Sequence, residues 1–136
     1  MTSAVTRFAG VTSTNTVSFQ PPYSGAQHAT LLLREHPRHG KDVILTIDRG
    51  QILCRSYEAC NVLVRFDDQK PVTYSGVGPA DNSTESVFIR NYPKFIASLK
   101  KAKRVRISVN IYQEGAPVFE FDVSDFDERK YRSQPK

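Results

Sequence analysis

The chain contains few residues of several types and no long apolar run, and these absences exclude some classes of protein. It has no tryptophan, one methionine, two cysteines, and no apolar run near the ~18–20 residues that a membrane-spanning helix requires. Its 136 residues correspond to a single domain, because domains most often contain ~100–150 residues. Hydrophobic residues make up 39% and charged residues 24% of the chain, which is typical of a folded globular protein.

Recognisable catalytic and metal-binding motifs are also missing from the sequence. There is no G-x-S-x-G elbow, no P-loop, no G-x-G-x-x-G and no H-E-x-x-H. His36 and His39 flank Pro37, and this proline excludes the helix that would bring both imidazoles to one face. Asp67 and Asp68 stand where a hairpin turn is expected, and turn chemistry accounts for them. We therefore expect a protein that is not an enzyme, with no metal site and no cofactor.

Positive charge is concentrated in one segment. The formal net charge is +5, from 19 basic and 14 acidic residues. Five bases fall within seven positions and equal the whole net charge: Lys100, Lys101, Lys103, Arg104 and Arg106. With Tyr112, they form the candidate binding site, because Lys and Arg contact phosphates and aromatic rings stack on bases. The structural alternative is that the lysines complement a helix end and the arginines keep a strand soluble. In that alternative, Glu120 opposes Arg106 across a hairpin.

The two cysteines, Cys54 and Cys60, are separated by five residues. This spacing differs from the C-x2-C of zinc and redox motifs. The cysteines end one predicted strand and begin the next, so a disulfide would close the loop Arg55–Ala59 and stabilise the fold by roughly 2–2.5 kcal/mol. Two reduced core cysteines are the alternative. We predict the disulfide, which favours an oxidising compartment such as the bacterial periplasm.

The two ends of the chain differ in composition from its middle. Residues 1–25 are rich in Thr, Ser, Asn, Gly and Pro, and predict a flexible lead-in with one short strand at Thr16–Phe19. No apolar signal-peptide core is visible there. A start after a removed signal or lipid anchor and a true cytosolic start both fit this sequence. Residues 127–136 predict a charged tail.

Residues 26–126 predict a single β-rich domain, because apolar and polar residues alternate with period two in most of its segments. The positions that we assign to the inner face are Ala29, Leu31 and Leu33; Val43, Leu45 and Ile47; Val62, Val64 and Phe66; Val105, Ile107 and Val109; and Phe119, Phe121 and Val123. Four outward positions are apolar as well: Leu32, Ile44, Leu63 and Phe88. Either a second layer covers them or they form a partner-binding patch.

One helix is predicted near residues 92–102. Phe95, Ile96 and Leu99 fall on one of its faces, Asn91 can cap it, and the lysines from Lys100 onward suit its last turn. The fold class is therefore mainly β. We predict an antiparallel β-sandwich-like domain of about eight short strands with this single α-helix.

The order of several segments resembles a known group of proteins. These are Cys60–Asp68, the strand within Ser83–Arg90, Phe95–Leu99 and Phe119–Ser124. Over roughly residues 50–126, the chain is similar to the VasI/TagO-like accessory proteins of type VI secretion and to uncharacterised bacterial envelope proteins and lipoproteins. The resemblance implies a location in the cell envelope and a protein-binding role as an accessory to a larger assembly. It implies no particular functional residue.

Two functional hypotheses follow. The first is a non-catalytic periplasmic or outer-membrane-anchored domain that binds another protein of an envelope assembly. In it, residues 1–25 are a tether, and the contact surface lies around residues 100–106 and the loop Gly78–Thr84. The alternative is a small basic cytoplasmic module that binds nucleic acid through residues 100–106 and Tyr112.

Overall fold

The computed structural model describes residues 5–38, 40–55, 58–126 and 132–135, with residues 5–7 and 132–135 described by their backbone alone. The described elements are β1 (Val5–Thr12), β2 (Val17–Phe19), β3 (Gly25–Gln27), β4 (Ala29–His36), β5 (Gly40–Ile47), β6 (Cys60–Phe66), β7 (Val72–Val77), β8 (Ser86–Ile89), α1 (Tyr92–Leu99), β9 (Arg104–Ser108), β10 (Val118–Asp122) and β11 (Arg132–Pro135). The prediction of a mainly β, antiparallel domain with one helix in the region of residues 92–102 is confirmed.

Nine of the strands form one antiparallel sheet, in the order β10-β9-β6-β7-β8-β5-β4-β1-β11. Strands β2 and β3 form a separate two-stranded sheet. The long sheet curls until its two sides approach each other, because the loop after β1 reaches β10. The backbone amide of Thr14 donates to the carbonyl of Glu120 at 2.7 Å. Side-chain contacts of Asn15 with β10 complete this junction. Among the described strands, no pairing between β1 and β10 closes the sheet.

The inner face of the curled sheet holds the core, and the period-two assignment of that face is confirmed. All fifteen side chains assigned to it are at most 5% exposed. Most of their outward neighbours are polar or charged, and Leu32, Ile44 and Leu63 are the apolar exceptions among the outward positions named above. Since one face of every strand is apolar, the sheet can bury that face only by curling around itself.

The helix α1 closes one end of the curled sheet, which we call the helix end. Phe95 is fully buried there, and its ring meets those of Phe66 and Tyr74 edge-on at centroid distances of 5.4 and 5.6 Å. Two expectations about the helix termini are wrong. Asn91 precedes the helix at φ 69° without a side-chain capping bond, and Lys100 is already the C-cap. The lysines therefore follow the helix instead of occupying its last turn.

The opposite end of the sheet, which we call the disulfide end, is closed by the β2–β3 hairpin and the segment before β6. Phe19 of β2 is 4% exposed and packs over Gly50. A disulfide joins Cys54 to Cys60, with 5.3 Å between their Cα atoms, so the predicted bond is confirmed. Ser56 and Tyr57 of the enclosed loop lie outside the described residues.

Part of the predicted flexible lead-in belongs to the sheet. Strand β1 pairs with β4 along six positions, from Arg7–Glu35 to Thr12–Thr30. Ala9 and Val11 pack against the core, and the threonines around them are good strand formers. The short strand expected at Thr16–Phe19 is β2. In the predicted tail, the backbone of Arg132–Pro135 pairs with β1, while residues 127–131 and 136 lie outside the described residues.

Gly78 offers a test of how closely the disulfide-bonded segment packs on the sheet. A Cβ atom at Gly78 would overlap the carbonyl oxygen of Cys54 and lie 3.0 Å from the carbonyl carbon of Arg55. We expect Gly78→Ala to lower the free energy of unfolding by about 1–3 kcal/mol, because backbone must move to make room. Urea denaturation measures this change. Gly10→Ala is the matched control, since its Cβ would meet only the Leu32 side chain at 3.3 Å and the Leu31 carbonyl at 3.8 Å. An equal effect of both substitutions would contradict the close packing.

Candidate binding surfaces

The predicted basic segment lies at the helix end, where α1 leads into β9. Lys100, Lys101 and Lys103 are exposed in this connection, while Arg104 and Arg106 point outward from β9. The turn between β6 and β7 packs beside them, because β6 and β9 are neighbours in the sheet.

Acidic side chains neutralise the two arginines of this segment. The Arg104 guanidinium lies 3.4 Å from the Asp68 carboxylate, and that of Arg106 lies 3.0 Å from Glu120. The predicted cross-strand pair of Arg106 and Glu120 is thus confirmed. Asp122 lies opposite Arg104 in the register of β9 and β10. Hydrogen bonds from the amide and hydroxyl of Ser124 hold the pKa of Asp122 below its usual range, so this carboxylate is ionised at neutral pH.

Asp67 fixes the backbone of the basic segment. Its Oδ1 atom accepts hydrogen bonds from the amides of Lys103 at 2.9 Å and Arg104 at 3.0 Å. Asp67 itself has φ 50°, a left-handed conformation that aspartate tolerates better than most residues. The path of the chain between α1 and β9 is therefore set by an acidic side chain, and a structural role accounts for much of this region.

Tyr112 is not near the basic segment. It is 46% exposed and lies at the disulfide end, where its amide donates to the carbonyl of Gln51 at 2.8 Å. Eight residues of mostly extended chain separate it from Arg104, a span of up to about 26 Å. The loop Gly78–Thr84 also lies at the disulfide end, since Thr84 accepts a hydrogen bond from the amide of Ile52. The structure therefore divides the residues predicted to form one contact surface between two ends of the sheet.

A cluster of exposed apolar side chains lies at the disulfide end, and we call it the outer apolar patch. It consists of the four large hydrophobic residues that are most exposed in the described part of the chain: Leu53 at 53%, Leu63 at 45%, Tyr112 at 46% and Val118 at 47%. Sequence reasoning had selected Leu63 and Tyr112 for separate reasons. It had not selected Leu53 or Val118.

Sheet register brings Leu63 and Val118 together. Ser108 of β9 pairs with Leu63 of β6 on one side and with Val118 of β10 on the other. In antiparallel sheets, side chains directly opposite each other share a face. The three residues therefore form one outward row, with a small polar residue between two apolar ones.

An isolated bridge places the other two residues next to this row. Ile52 pairs with Ile111 beyond the end of β9, and both isoleucines are buried. Their chain neighbours Leu53 and Tyr112 are both about half exposed. The amide of Leu53 donates to the carbonyl of Asn110 at 2.9 Å. Since Asn110 is the next outward position after Ser108, Leu53 continues the column that begins with Leu63.

The border of the outer apolar patch toward the helix end is charged. The next outward row consists of Arg65, Arg106 and Glu120, which are paired across β6, β9 and β10. Arg106 is neutralised by Glu120. Arg65 instead donates from Nε to the carbonyl of Gln69 at 3.0 Å, and this acceptor carries no formal charge. The row therefore carries one net positive charge.

The other outward apolar residues behave differently from Leu63. Leu32, Ile44 and Phe88 form one row across β4, β5 and β8. Ile44 is only 7% exposed, and the guanidinium of Arg34 lies 5.5 Å from the centre of the Phe88 ring. These side chains cover one another, with Arg34 lying over the ring. Among the described elements, the helix packs on the inner face, so no helical layer covers this row.

A surface pocket of about 490 Å³ adjoins this second row. Val77, Phe88, Arg90 and Tyr92 line it, together with residues 78–80 of the β7–β8 loop. Its walls mix apolar and charged groups without a cluster of metal ligands. Across the described residues, no group of three His, Cys, Asp or Glu side chains is placed to hold a metal ion. His36 accepts a hydrogen bond from the Arg38 amide, and His39 lies outside the described residues.

In comparisons with known proteins, no family model, no curated protein and no solved structure matches the chain. The resemblance to VasI/TagO-like proteins stays a prediction. In the part of the chain that the structure describes, no helix has the length and apolar character needed to cross a membrane.

The role of Asp67 can be separated from that of its neighbour. We expect Asp67→Ala to lower the free energy of unfolding by about 2 kcal/mol, because two backbone amides lose a charged acceptor and alanine disfavours positive φ. Asp68→Ala should cost less than about 1 kcal/mol, since the Asp68 side chain is 87% exposed and its ion pair is screened by solvent. Thermal and urea unfolding of both variants measure the difference. Equal losses would show that the ion pair, and not the amide contacts, holds the segment.

Proposed function

We propose that this chain is a non-catalytic protein-binding domain of the bacterial cell envelope, acting as an accessory to a larger assembly through the outer apolar patch. The observation that carries this proposal is the position of Leu53, Leu63, Tyr112 and Val118. Among the described residues, the four large hydrophobic side chains with the greatest exposure are brought near one another by strand register and backbone hydrogen bonds. Single exposed apolar residues are common on protein surfaces, whereas a contiguous group bordered by polar residues is typical of an interaction site.

The chemistry of the patch also supports a protein partner. Its centre is uncharged, and the charged row of Arg65, Arg106 and Glu120 lies at its edge. This arrangement of an apolar centre with a polar rim is that of protein–protein interfaces. Tyrosine is enriched among residues that dominate binding energy, because it buries a large rigid area and retains a polar hydroxyl.

The disulfide supports the envelope location and links it to the patch. Disulfides persist mainly in oxidising compartments such as the periplasm. The bond between Cys54 and Cys60 anchors the residue directly after Leu53 to the start of β6. The chain's resemblance to envelope accessory proteins of type VI secretion implies the same compartment.

The basic segment at residues 100–106 is the alternative binding surface, and its contacts make it less suitable than the patch. Arg104 and Arg106 are paired with acids, and Tyr112 is remote from the lysines. Stacking on bases next to bound phosphates requires aromatic and basic groups side by side. The contacts therefore favour a protein partner on the patch over nucleic acid on residues 100–106.

The binding surface can be tested by a capture experiment. The purified domain carries a crosslinker at one defined site, and it is used to capture its partner from a bacterial envelope extract. We expect Leu63→Asp and Val118→Asp to lower recovery of the crosslinked partner by at least tenfold, because a charge is placed in the apolar contact. Ala97→Asp is the matched control, since Ala97 is a small exposed residue of α1 at the helix end, away from the patch. Circular dichroism establishes that each variant is folded. Unchanged capture by both patch variants would refute the proposal.

A second set of variants tests the alternative surface. Lys101→Glu with Lys103→Glu should leave capture unchanged, because these lysines lie at the helix end, away from the patch. Binding of single-stranded DNA that falls steeply between low and moderate salt, and is lost in this variant, would favour nucleic-acid binding instead. Fluorescence anisotropy with a labelled random oligonucleotide measures it.

The compartment is tested through the cysteines. Protein made in an oxidising compartment should have no free thiols and should gain ~2 Da on reduction, corresponding to two hydrogens. Replacing both Cys54 and Cys60 with Ser should lower the free energy of unfolding by roughly 2–2.5 kcal/mol. Two free thiols in protein made in an oxidising compartment would remove the support that the disulfide gives to the envelope location.

A further inference from the structure

The area of the outer apolar patch limits the size of the partner segment that can bind to it. Leu63 and Val118 are two strand spacings apart across β9, about 9.6 Å. From Ser108 to Tyr112 the patch extends about 13 Å along the strand direction. Four half-exposed side chains offer on the order of 300 Å², whereas a stable interface buries ~800 Å² on each partner. The patch alone is therefore too small for a second copy of the domain and fits a single element of secondary structure.

An added β-strand is excluded at the nearest sheet edge. Three backbone groups of Val118 and Glu120 in β10 that such a strand would need are already bonded to the loop after β1. The side chain of Asn15 donates to the Val118 carbonyl at 2.9 Å and accepts from the Glu120 amide at 2.8 Å. The amide of Thr14 bonds the Glu120 carbonyl. A partner must therefore contact the side chains on the outer face instead of extending the sheet.

The spacing across the patch matches one face of an α-helix. Residues i and i+7 of a helix are about 10.5 Å apart and lie on the same face. This distance is close to the separation of Leu63 and Val118. Ser108 between them is small, and its hydroxyl is already bonded to the carbonyl of Ala116 at 3.0 Å. Apolar side chains at i+3 and i+4 of the helix can then lie over this small residue, between Leu63 and Val118.

Charge sets the orientation of such a helix. Arg65 borders the patch, and its side chain bonds a neutral carbonyl. Arg106 beside it is already matched by Glu120. A carboxylate on one flank of the helix would therefore meet a guanidinium that has no acidic partner among the described residues.

Resting on the proposed function, we infer that the partner contributes an amphipathic α-helix that lies across β10, β9 and β6. Its apolar stripe packs on Leu53, Leu63, Tyr112 and Val118. A glutamate or aspartate on the flank nearest the helix end pairs with Arg65. This assigns the partner by chemical class, as an apolar helical segment with an acidic edge.

A designed peptide tests the inference on the intact domain. The probe is a hydrocarbon-stapled helix of about 16 residues with Leu at i, i+3, i+4 and i+7 and Glu along one flank, since unconstrained helices of this length are marginal in water. A titration followed by ¹⁵N–¹H correlation spectra should shift the amides of the four patch residues. A peptide of the same composition with the leucines distributed around the helix should bind at least tenfold more weakly.

Charge exchange provides the specificity control. Arg65→Glu should weaken binding of the Glu-flanked peptide about tenfold, and a Lys-flanked peptide should recover that loss. Lys103→Glu is the matched control, because this lysine lies in the α1–β9 connection outside the patch, and it should change neither affinity. Equal binding of the ordered and rearranged peptides, shifts confined to residues 100–106, or dimerisation of the domain through the patch would each overturn the helix assignment.

The outcomes distinguish this inference from the proposed function. If neither peptide binds but Leu63→Asp still abolishes capture from envelope extract, the patch binds a protein whose contact is not a helix. The helix assignment is then wrong and the proposed function stands. If Leu63→Asp and Val118→Asp leave capture unchanged, the proposed function itself fails.

Discussion

The closure of one long sheet around a single apolar face is the constraint on which the rest of this structure depends. Every strand of the main sheet with described side chains carries apolar residues toward one side, and no second large sheet covers them in the described part of the chain. The sheet must therefore curl until β1 and β10 meet. Asn15 completes this junction by donating to one backbone carbonyl of β10 and accepting from a nearby amide. A side-chain amide can satisfy both groups at once, which is why it replaces a pair of ladder hydrogen bonds there.

Closure of this kind leaves two open ends, and the two are sealed by different means. At the helix end, an eight-residue helix buries Phe95 between Phe66 and Tyr74. At the disulfide end, the chain between β5 and β6 crosses the opening and bonds to three other segments through its backbone. This crossing makes Leu53 an outward residue, since its neighbour Ile52 takes the inward position. The outer apolar patch is thus a consequence of how the second end is closed.

The sequence predicted the strands well where alternation was strict, as in Val105–Val109 and Phe119–Val123. The sequence did not predict which side chains become neighbours when this depends on the order in which strands pair. Leu63 and Val118 are far apart in the chain, and only the positions of β6 and β10 on either side of Ser108 bring them together. A strand was predicted at Gln51–Cys54, but the structure has only an isolated bridge there, and the exposure of Leu53 follows from the pairing of Ile52 with Ile111. The polar composition of residues 1–25 concealed β1, whose threonines favour strands as much as they favour loops.

The two candidate surfaces differ in the free energy that is lost when their side chains stay exposed to water. Exposed lysines are well hydrated and their ion pairs contribute little to stability, so positive charge near Asp67 and Asp68 is weak evidence for a binding site. An exposed leucine or valine gains about 25 cal/mol for each Å² that it buries, and four of them left together at half exposure forgo several kcal/mol. The same chain buries all fifteen side chains assigned to the inner face to 5% exposure or less. The contrast between this complete burial inside and four large apolar groups left exposed outside is the physical basis for our proposal that a partner protein binds the patch.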